Sequence, residues 1–446
     1  MSAVIDYLRS RREESLGQFI DYLKIPSIST LGTGVREAAE HLVGLMEQAG
    51  VKARILPTKG FPVVYGEAEG PSGAPTLLIY GHYDVQPADA AEGWASEPFE
   101  PEIRDGRVFA RGAGDNKAQH FAHIKAMEAF GKTGTPLPVN IKLLVEGEEE
   151  MGSPNLQAFI QENKDLLRAD VACSSDGSLH PSDRPTFVLG CRGLLYVELH
   201  CRGTGKDLHS GLYGGAVHSP FWRLLEAMRA IRGPDGRVRI PGYYEAVQPL
   251  GAEDEKFLAE IPSPESELRA ALGEGASRIP DIANFYRNVL PVPNLNICGF
   301  MGGYSGKGMK TVTPADAAVK MDFRLVVDQD PNQIFEDLCR FLETEGFKDI
   351  EARKMAIFPP SKTSAENPMI QKIIAAVAAK GETPVIYPNS GGSVPDCYFT
   401  KDLGIPSVWL PMANADSNAH APDENMRVDL LHRGSELSVA VIEGVI

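Results

Sequence analysis

The chain has 446 residues, 43% of them hydrophobic and 23% charged, with a formal net charge of −16. This composition excludes intrinsic disorder, and the acidity without a basic patch excludes a nucleic-acid or anionic-membrane partner. The length is several times that of a typical single domain, so two domains are expected.

Apolar residues at helical spacing (Ile5, Leu8, Leu16, Phe19, Ile20, Leu23) predict one helix over Val4 to Lys24, stopped by Pro26. Met1 to Glu14 is polar and amphipathic, not a signal peptide. No apolar run reaches membrane-spanning length, so the expected location is the cytoplasm. A helix follows to Ala49, then strands at Val51 to Leu56, Val63 to Gly66 and the apolar Thr76 to Tyr80. The alternation continues with a helix over Lys117 to Gly131, a buried strand at Val139 to Val145, a helix near Asn155 to Asn163 and a strand at Asp170 to Ser174. Strands and helices in turn predict an α/β domain with a mixed, mostly parallel sheet.

The character changes near Cys191. A long strand (Gly193 to Cys201), a helix over Pro220 to Ile231 and strand–helix–strand from Ala317 through Arg353 predict a separate α+β module. The first pattern resumes at Pro368 to Lys380, Ser393 to Asp402 and Pro406 to Leu410. The expected division is residues 1–190 and 364–446 for one catalytic domain, with 191–363 inserted into it. The six cysteines form no CxxC pair and sit mostly in apolar runs, so buried free thiols are expected.

Five elements carry candidate chemistry. Gly81-His82-Tyr83-Asp84-Val85-Gln86-Pro87 ends an apolar strand, where open α/β sheets place ligands. His82 and Asp84, two apart on a strand end, share a face, so Asp84 is placed to hold a metal-binding His82 ring. Asp115 in Ala110-Arg111-Gly112-Ala113-Gly114-Asp115-Asn116-Lys117 lies in a glycine-rich turn before a helix, where it is either a ligand or an N-cap. Glu146-Gly147-Glu148-Glu149-Glu150 follows a core strand, and such crowded acids repel one another unless a cation compensates. Two adjacent acids divide the labour, Glu150 ligating and Glu149 taking a proton from water. Asp176 ends another strand in Ser174-Ser175-Asp176-Gly177, and His420 lies in Asn418-Ala419-His420-Ala421-Pro422-Asp423-Glu424. Mixed histidine and carboxylate donors suit zinc, with manganese or cobalt as alternatives.

In this order, the motifs GHYDVQP, ARGAGDNKA, EGEEEMGS, SSDG, DLHSGLYGG and NAHAPDE resemble the di-zinc metallopeptidases of family M twenty: carnosinases, dipeptidases, aminoacylases and glutamate carboxypeptidases. The resemblance implies that His82 and Asp176 bind one cation, that Glu150 and His420 bind the other, and that Asp115 bridges them. It implies a cis peptide after Asp115, Glu149 as base and Asp84 as support for His82. The inserted module then corresponds to a lid and dimerisation domain, a two-layer sandwich whose His209 acts in trans in a homodimer as an oxyanion donor. Thr311, Arg324 and the turn Gly391-Gly392-Ser393 match substrate contacts, the turn opening a predicted helix. No histidine lies near Met355 to Pro360, where the carnosinase branch carries one, which argues against carnosine as substrate.

The reading is a dipeptidase or related exopeptidase acting on short peptides. An N-acyl-amino-acid deacylase using the same centre is the alternative, and a non-catalytic dimeric binding protein is opposed by the intact ligand set. Gly203-Thr204-Gly205-Lys206 and Gly302 to Gly308 lack the Gly-Lys-Ser/Thr ending of a phosphate loop.

Overall fold

A computed structural model describes residues 2–446 apart from 274, 276–278, 280 and 382. The amino-terminal segment is two helices, Ser2–Ser10 and Arg12–Leu23, rather than the single helix expected. Arg11 breaks them (φ −110°, ψ 16°) inside a polar run from Arg9 to Ser15, where no apolar side chain holds one axis against the core.

The strands β1 (Lys52–Leu56), β2 (Val63–Ala68), β3 (Thr76–His82), β4 (Asn140–Glu146), β5 (Val171–Ser174) and β6 (Thr186–Val188) come first. A second set follows: β7 (Gly193–Arg202), β8 (Asn294–Gly302), β9 (Asp316–Leu325) and β10 (Ile350–Phe358). The chain then returns with β11 (Val385–Tyr387) and β12 (Ser407–Trp409). The large sheet runs β1-β2-β4-β3-β5-β12-β6-β11. Its centre, β4-β3-β5-β12, is parallel, and antiparallel pairings flank it. Parallel strands are covered on both faces, so they read as continuous apolar runs. Leu77 and Ile79 face one core with Phe121 and Val439, while Leu78 and Tyr80 face the other with Phe159 and Phe399.

The second sheet, β8-β9-β7-β10, is antiparallel throughout. One face packs Leu195, Val197, Leu199, Val319, Met321 and Phe323 under the helices Pro220–Ile231 and Pro331–Thr344, giving a two-layer body with its own core. Two short strands, Gly190–Cys191 and Ser361–Lys362, pair where the chain passes between the sheets.

Part of the middle segment does not belong to that second core. Leu258, Ile261 and Leu290, from around the helices Ala252–Glu260 and Phe285–Val289, pack on Val385 and cover the edge strand β11 of the large sheet. An uncovered edge would be a pairing hazard, and here a distant stretch of chain protects it. Cys173, Cys191, Cys201 and Cys397 are buried free thiols, but Cys298 and Cys339 are exposed, contrary to expectation. Cys298 lies on the edge strand β8, and Cys339 on the outer face of a helix that buries Ile334, Leu338 and Phe341 instead. No helix among the described residues is long and apolar enough to cross a membrane.

Candidate active site and metal centre

The carboxyl ends of β3, β4 and β5 deliver His82, the acidic run and Asp176 to one rim of the large sheet. His82 is fully buried, with Nε2 3.1 Å from Asp115 Oδ1 and 3.8 Å from Asp176 Oδ2. On the other ring nitrogen, Nδ1 lies 3.1 Å from the main-chain oxygen of Asp84 and 3.5 Å from its carboxylate. The Asp84 side chain is engaged mainly elsewhere, accepting from the N–H of Glu149 at 3.2 Å and of Glu150 at 3.1 Å. It therefore fixes the acidic turn against the histidine strand as well as sitting behind His82.

The acidic run is divided by backbone direction. Glu146 turns inward to accept from Tyr80 Oη at 2.7 Å and Ser153 Oγ at 2.8 Å, and burial pushes it up to about 8. Glu148 accepts from the N–H of Phe61 at 2.9 Å and from Asn155. Glu149 and Glu150 face the site. Glu150 Oε2 accepts from Gln86 Nε2 at 2.8 Å and lies 3.2 Å from His420 Nε2. Among the described residues, no hydrogen bond or ion pair engages the Glu149 carboxylate. Withdrawal from water raises its pKa well above the ordinary value against the opposing pull of His82, and Asp176, Glu150 and Asp115 add to the rise.

Asp115 sits at the centre, 3.1 Å from His82 through Oδ1 and 3.1 Å from His420 through Oδ2. Burial pushes its carboxyl up, but the hydrogen bonds from His420 and His82 prevail and hold it low. Asp176 is pushed up to about 6 by burial and by the nearby Asp115 carboxylate. His420 is pushed up to about 10 by its bonds to Asp115 and Glu150. The peptide bond Asp115–Asn116 is cis, as expected.

Two donor groups result, His82–Asp115–Asp176 and Asp115–Glu150–His420, each with ligand atoms within 4.8 Å of one another, and Asp115 belongs to both. Four carboxylates converge with two imidazoles, an excess of negative charge that divalent cations compensate. The donor chemistry fits a two-metal centre.

The sequence reading assigned no role to Glu424, yet it shapes the turn. Fully buried, it accepts from the N–H groups of Gly112 (3.0 Å), Gly114 (2.9 Å) and Asp115 (2.9 Å) and from Arg111 Nη1 (2.8 Å). Asn116 also went unassigned. Its Oδ1 accepts from the His82 N–H at 3.3 Å and its Nδ2 donates to Ser175 O at 2.7 Å, tying the ends of β3 and β5. Glu424, Asn116 and Gln86 all neighbour ligands in the recognised motifs, which is the signal that marks them.

The remaining candidates form a second group. His209 is exposed on a two-residue strand beside Val312, with Nε2 3.4 Å from Thr311 Oγ1. Arg324, on β9, donates from Nη1 to Ser393 Oγ at 3.1 Å and from Nε to Asp322 at 3.1 Å. The turn Gly391-Gly392-Ser393 does not open a helix, contrary to expectation; helical backbone begins at Asp396, after Pro395. Within one chain, no hydrogen bond or ion pair among the described residues joins His209 to the carboxylate cluster.

A mixed sheet with two candidate metal-donor groups at its rim suits a metal-dependent hydrolase. Residues 78–444 match the model of Peptidase family M20/M25/M40, and the chain belongs to that family. It is 31% identical to the Cys-Gly metallodipeptidase of Candida albicans over 93% of this chain and 92% of that protein. It is 30% identical to human Beta-Ala-His dipeptidase, over 82% and 74%. The crystal structure of a metallo-carboxypeptidase from Sulfolobus solfataricus superposes with a TM-score of 0.91 at 38% identity, covering 96% of this chain and 98% of that one. The protein is a metallopeptidase whose relatives lie in the dipeptidase branch of the family.

Proposed function

We propose that this metallopeptidase is an exopeptidase of dipeptides and short peptides, active as a homodimer with two divalent cations per subunit. Zinc is the first choice of metal, with manganese or cobalt as alternatives. The reading rests on one observation above all: Asp115 is shared by two donor groups, with an unengaged Glu149 beside them. His82 and Asp176 would hold one cation and Glu150 and His420 the other, with Asp115 common to both donor groups. Two cations held there would supply Lewis acidity toward the scissile carbonyl and lower the pKa of water.

Glu149 takes the proton of the attacking water and delivers it to the leaving nitrogen as the C–N bond breaks. Arg324 and Ser393 bind the substrate's terminal carboxylate, Arg324 through its planar fork, with Thr311 nearby. His209 donates to the developing oxyanion of the partner subunit's site. The trans role is supported by its exposure and by the lack, among the described residues, of any hydrogen bond or ion pair from it to its own chain's cluster. A dimer contact is supported by the apolar edge strand β8, which exposes Ile297, Phe300 and Met301, and by Trp222 and Leu225 on the nearby helix. The division at 190/191 and 363/364 belongs to the same proposal and is supported by the separate cores and the paired crossing strands. Unbridged cysteines suit a cytoplasmic location. The relatives compared above do not favour the deacylase alternative.

The test is metal content together with hydrolysis of Ala-Ala, tri-alanine and N-acetyl-alanine, before and after chelation and add-back of zinc or manganese. Restored cleavage of Ala-Ala and loss of turnover in a metal-loaded E149Q variant support the reading. Preference for N-acetyl-alanine, or full turnover in E149Q, overturns it.

A further inference from the structure

Segment Gly190–Arg192 carries the chain between the two sheets and pairs with Ser390, at the start of the candidate substrate turn. The N–H of Ser390 donates to Gly190 O at 2.8 Å, and the N–H of Arg192 donates to Ser390 O at 3.2 Å. The Arg192 side chain extends this contact. Nε and Nη2 both donate to Gly391 O, at 3.0 and 2.7 Å, and Nη1 donates to Val292 O at 3.2 Å. Arg192, only 5% exposed, joins the crossing strand, the Gly391 turn and the segment just after the helix that covers β11. The turn is packed from the same side: a Cβ on Gly391 would lie 3.3 Å from Val289 Cγ1 and 3.6 Å from Arg192 Nη2.

Among the described residues, every hydrogen bond of the Arg192 side chain goes to a main-chain carbonyl. Arg192 and Arg324 grip residues two apart in the same turn, Gly391 O at 2.7 Å and Ser393 Oγ at 3.1 Å, and burial, then repulsion from Arg324, pull Arg192 down to about 10. Asp322 already accepts from Arg324, Asn296 and Cys298. Positive charge is thus concentrated behind and beside the turn that ends in Ser393.

We propose that Arg192 is a positioning residue for the substrate's terminal carboxylate, pinning the Gly391 carbonyl so that Ser393 is held opposite Arg324 while its charge supports the anion without touching it. This rests on the carboxylate subsite assigned above. The planar fork reaches Gly391 O through Nε and Nη2 and Val292 O through Nη1 at once, a fixed geometry that a compact ammonium on a flexible stem reproduces only in part.

The experiment compares kcat and KM for Ala-Ala and Ala-Ala-amide in metal-loaded wild type, R192M, R192K and R324M, with metal content and melting temperature as controls. R192M is expected to raise KM for Ala-Ala by roughly tenfold, the equivalent of one charge-assisted hydrogen bond, with kcat within a few-fold of wild type. KM for the amide stays nearly constant, so the preference for the free carboxylate collapses, and R192K recovers part of it. A merely structural role would lower both substrates' turnover alike and leave the preference intact, and that result overturns the inference. If R192M does not fold, R192K decides: a reduced carboxylate preference supports the inference, and a wild-type preference overturns it. R324M separates the layers, since preference retained there refutes the carboxylate subsite itself, whereas preference lost in R324M but kept in R192M and R192K refutes only the role of Arg192.

Discussion

Replacing Glu424 with glutamine tests how the bridging aspartate is held. Glu424 Oε1 accepts from Gly114 and Asp115 N–H groups, both at 2.9 Å, while Oε2 accepts from Gly112 N–H at 3.0 Å and Arg111 Nη1 at 2.8 Å. A glutamine has one acceptor oxygen, so whichever way the amide faces, its NH2 group meets two donors. Bonds to a charged group are worth about 1.5–3 kcal/mol each, and the substitution also strands Arg111, which is only 2% exposed. Breaking one side of a buried ion pair costs about 3–5 kcal/mol, so the two estimates agree on that scale. E424Q is expected to lower the urea midpoint of the metal-free protein. Because the Asp115 N–H loses its acceptor or its neighbour does, metal affinity measured by chelator competition should fall by about 10–100-fold. Wild-type stability and wild-type metal affinity together in E424Q would refute the reasoning. Loss of stability with unchanged affinity would show that Glu424 holds the fold without shaping the ligand.

Other consequences follow from the same geometry. E149Q should bind metal as wild type does yet lose about 10²–10⁴-fold in kcat, the span of general acid–base catalysis, in a steady-state dipeptide assay. Mixing inactive E149Q and H209A subunits should restore up to one intact site per mixed dimer if His209 acts in trans; a mixture that stays silent after verified subunit exchange excludes that role. Lys117 is buried, donates to Tyr22 O and Ile25 O, and is pushed down to about 7 by burial. Between that value and the ordinary lysine range the unfolded chain holds a proton that the folded protein lacks, so stability should rise with pH at about 1.4 kcal/mol per unit. K117M should flatten that slope in urea titrations at pH 7.5 and 9.5, and an unchanged slope would assign the pH dependence to other groups.

The strands of the large sheet and the ligands at their ends were legible in the sequence for a physical reason. Parallel strands buried on both faces are continuously apolar, and His82, Glu149, Glu150 and Asp176 stand where those runs stop. Neighbouring residues sufficed to propose Asp115 beside its glycines, and the family motifs supplied the pairing of ligands, including the cis bond that follows it. Local pattern failed where packing between distant segments decides. Val4 to Lys24 has helical spacing throughout, yet the polar stretch after Arg9 lets two helices form. Gly391 to Ser393 looks like a helix start, but the segment is held as a turn by Arg192 and the Ser390 ladder, nearly two hundred residues away in sequence. The division among Glu146, Glu148, Glu149 and Glu150 is likewise tertiary: identical side chains acquire different roles because Tyr80, Ser153, Asn155 and Phe61 claim two of them and leave the others facing the ligands. Sequence determined which chemical groups were available and which strand ends could present them. Three-dimensional packing alone decided which were buried, which were satisfied and which were left free to react, because those properties depend on neighbours the chain brings together only by folding.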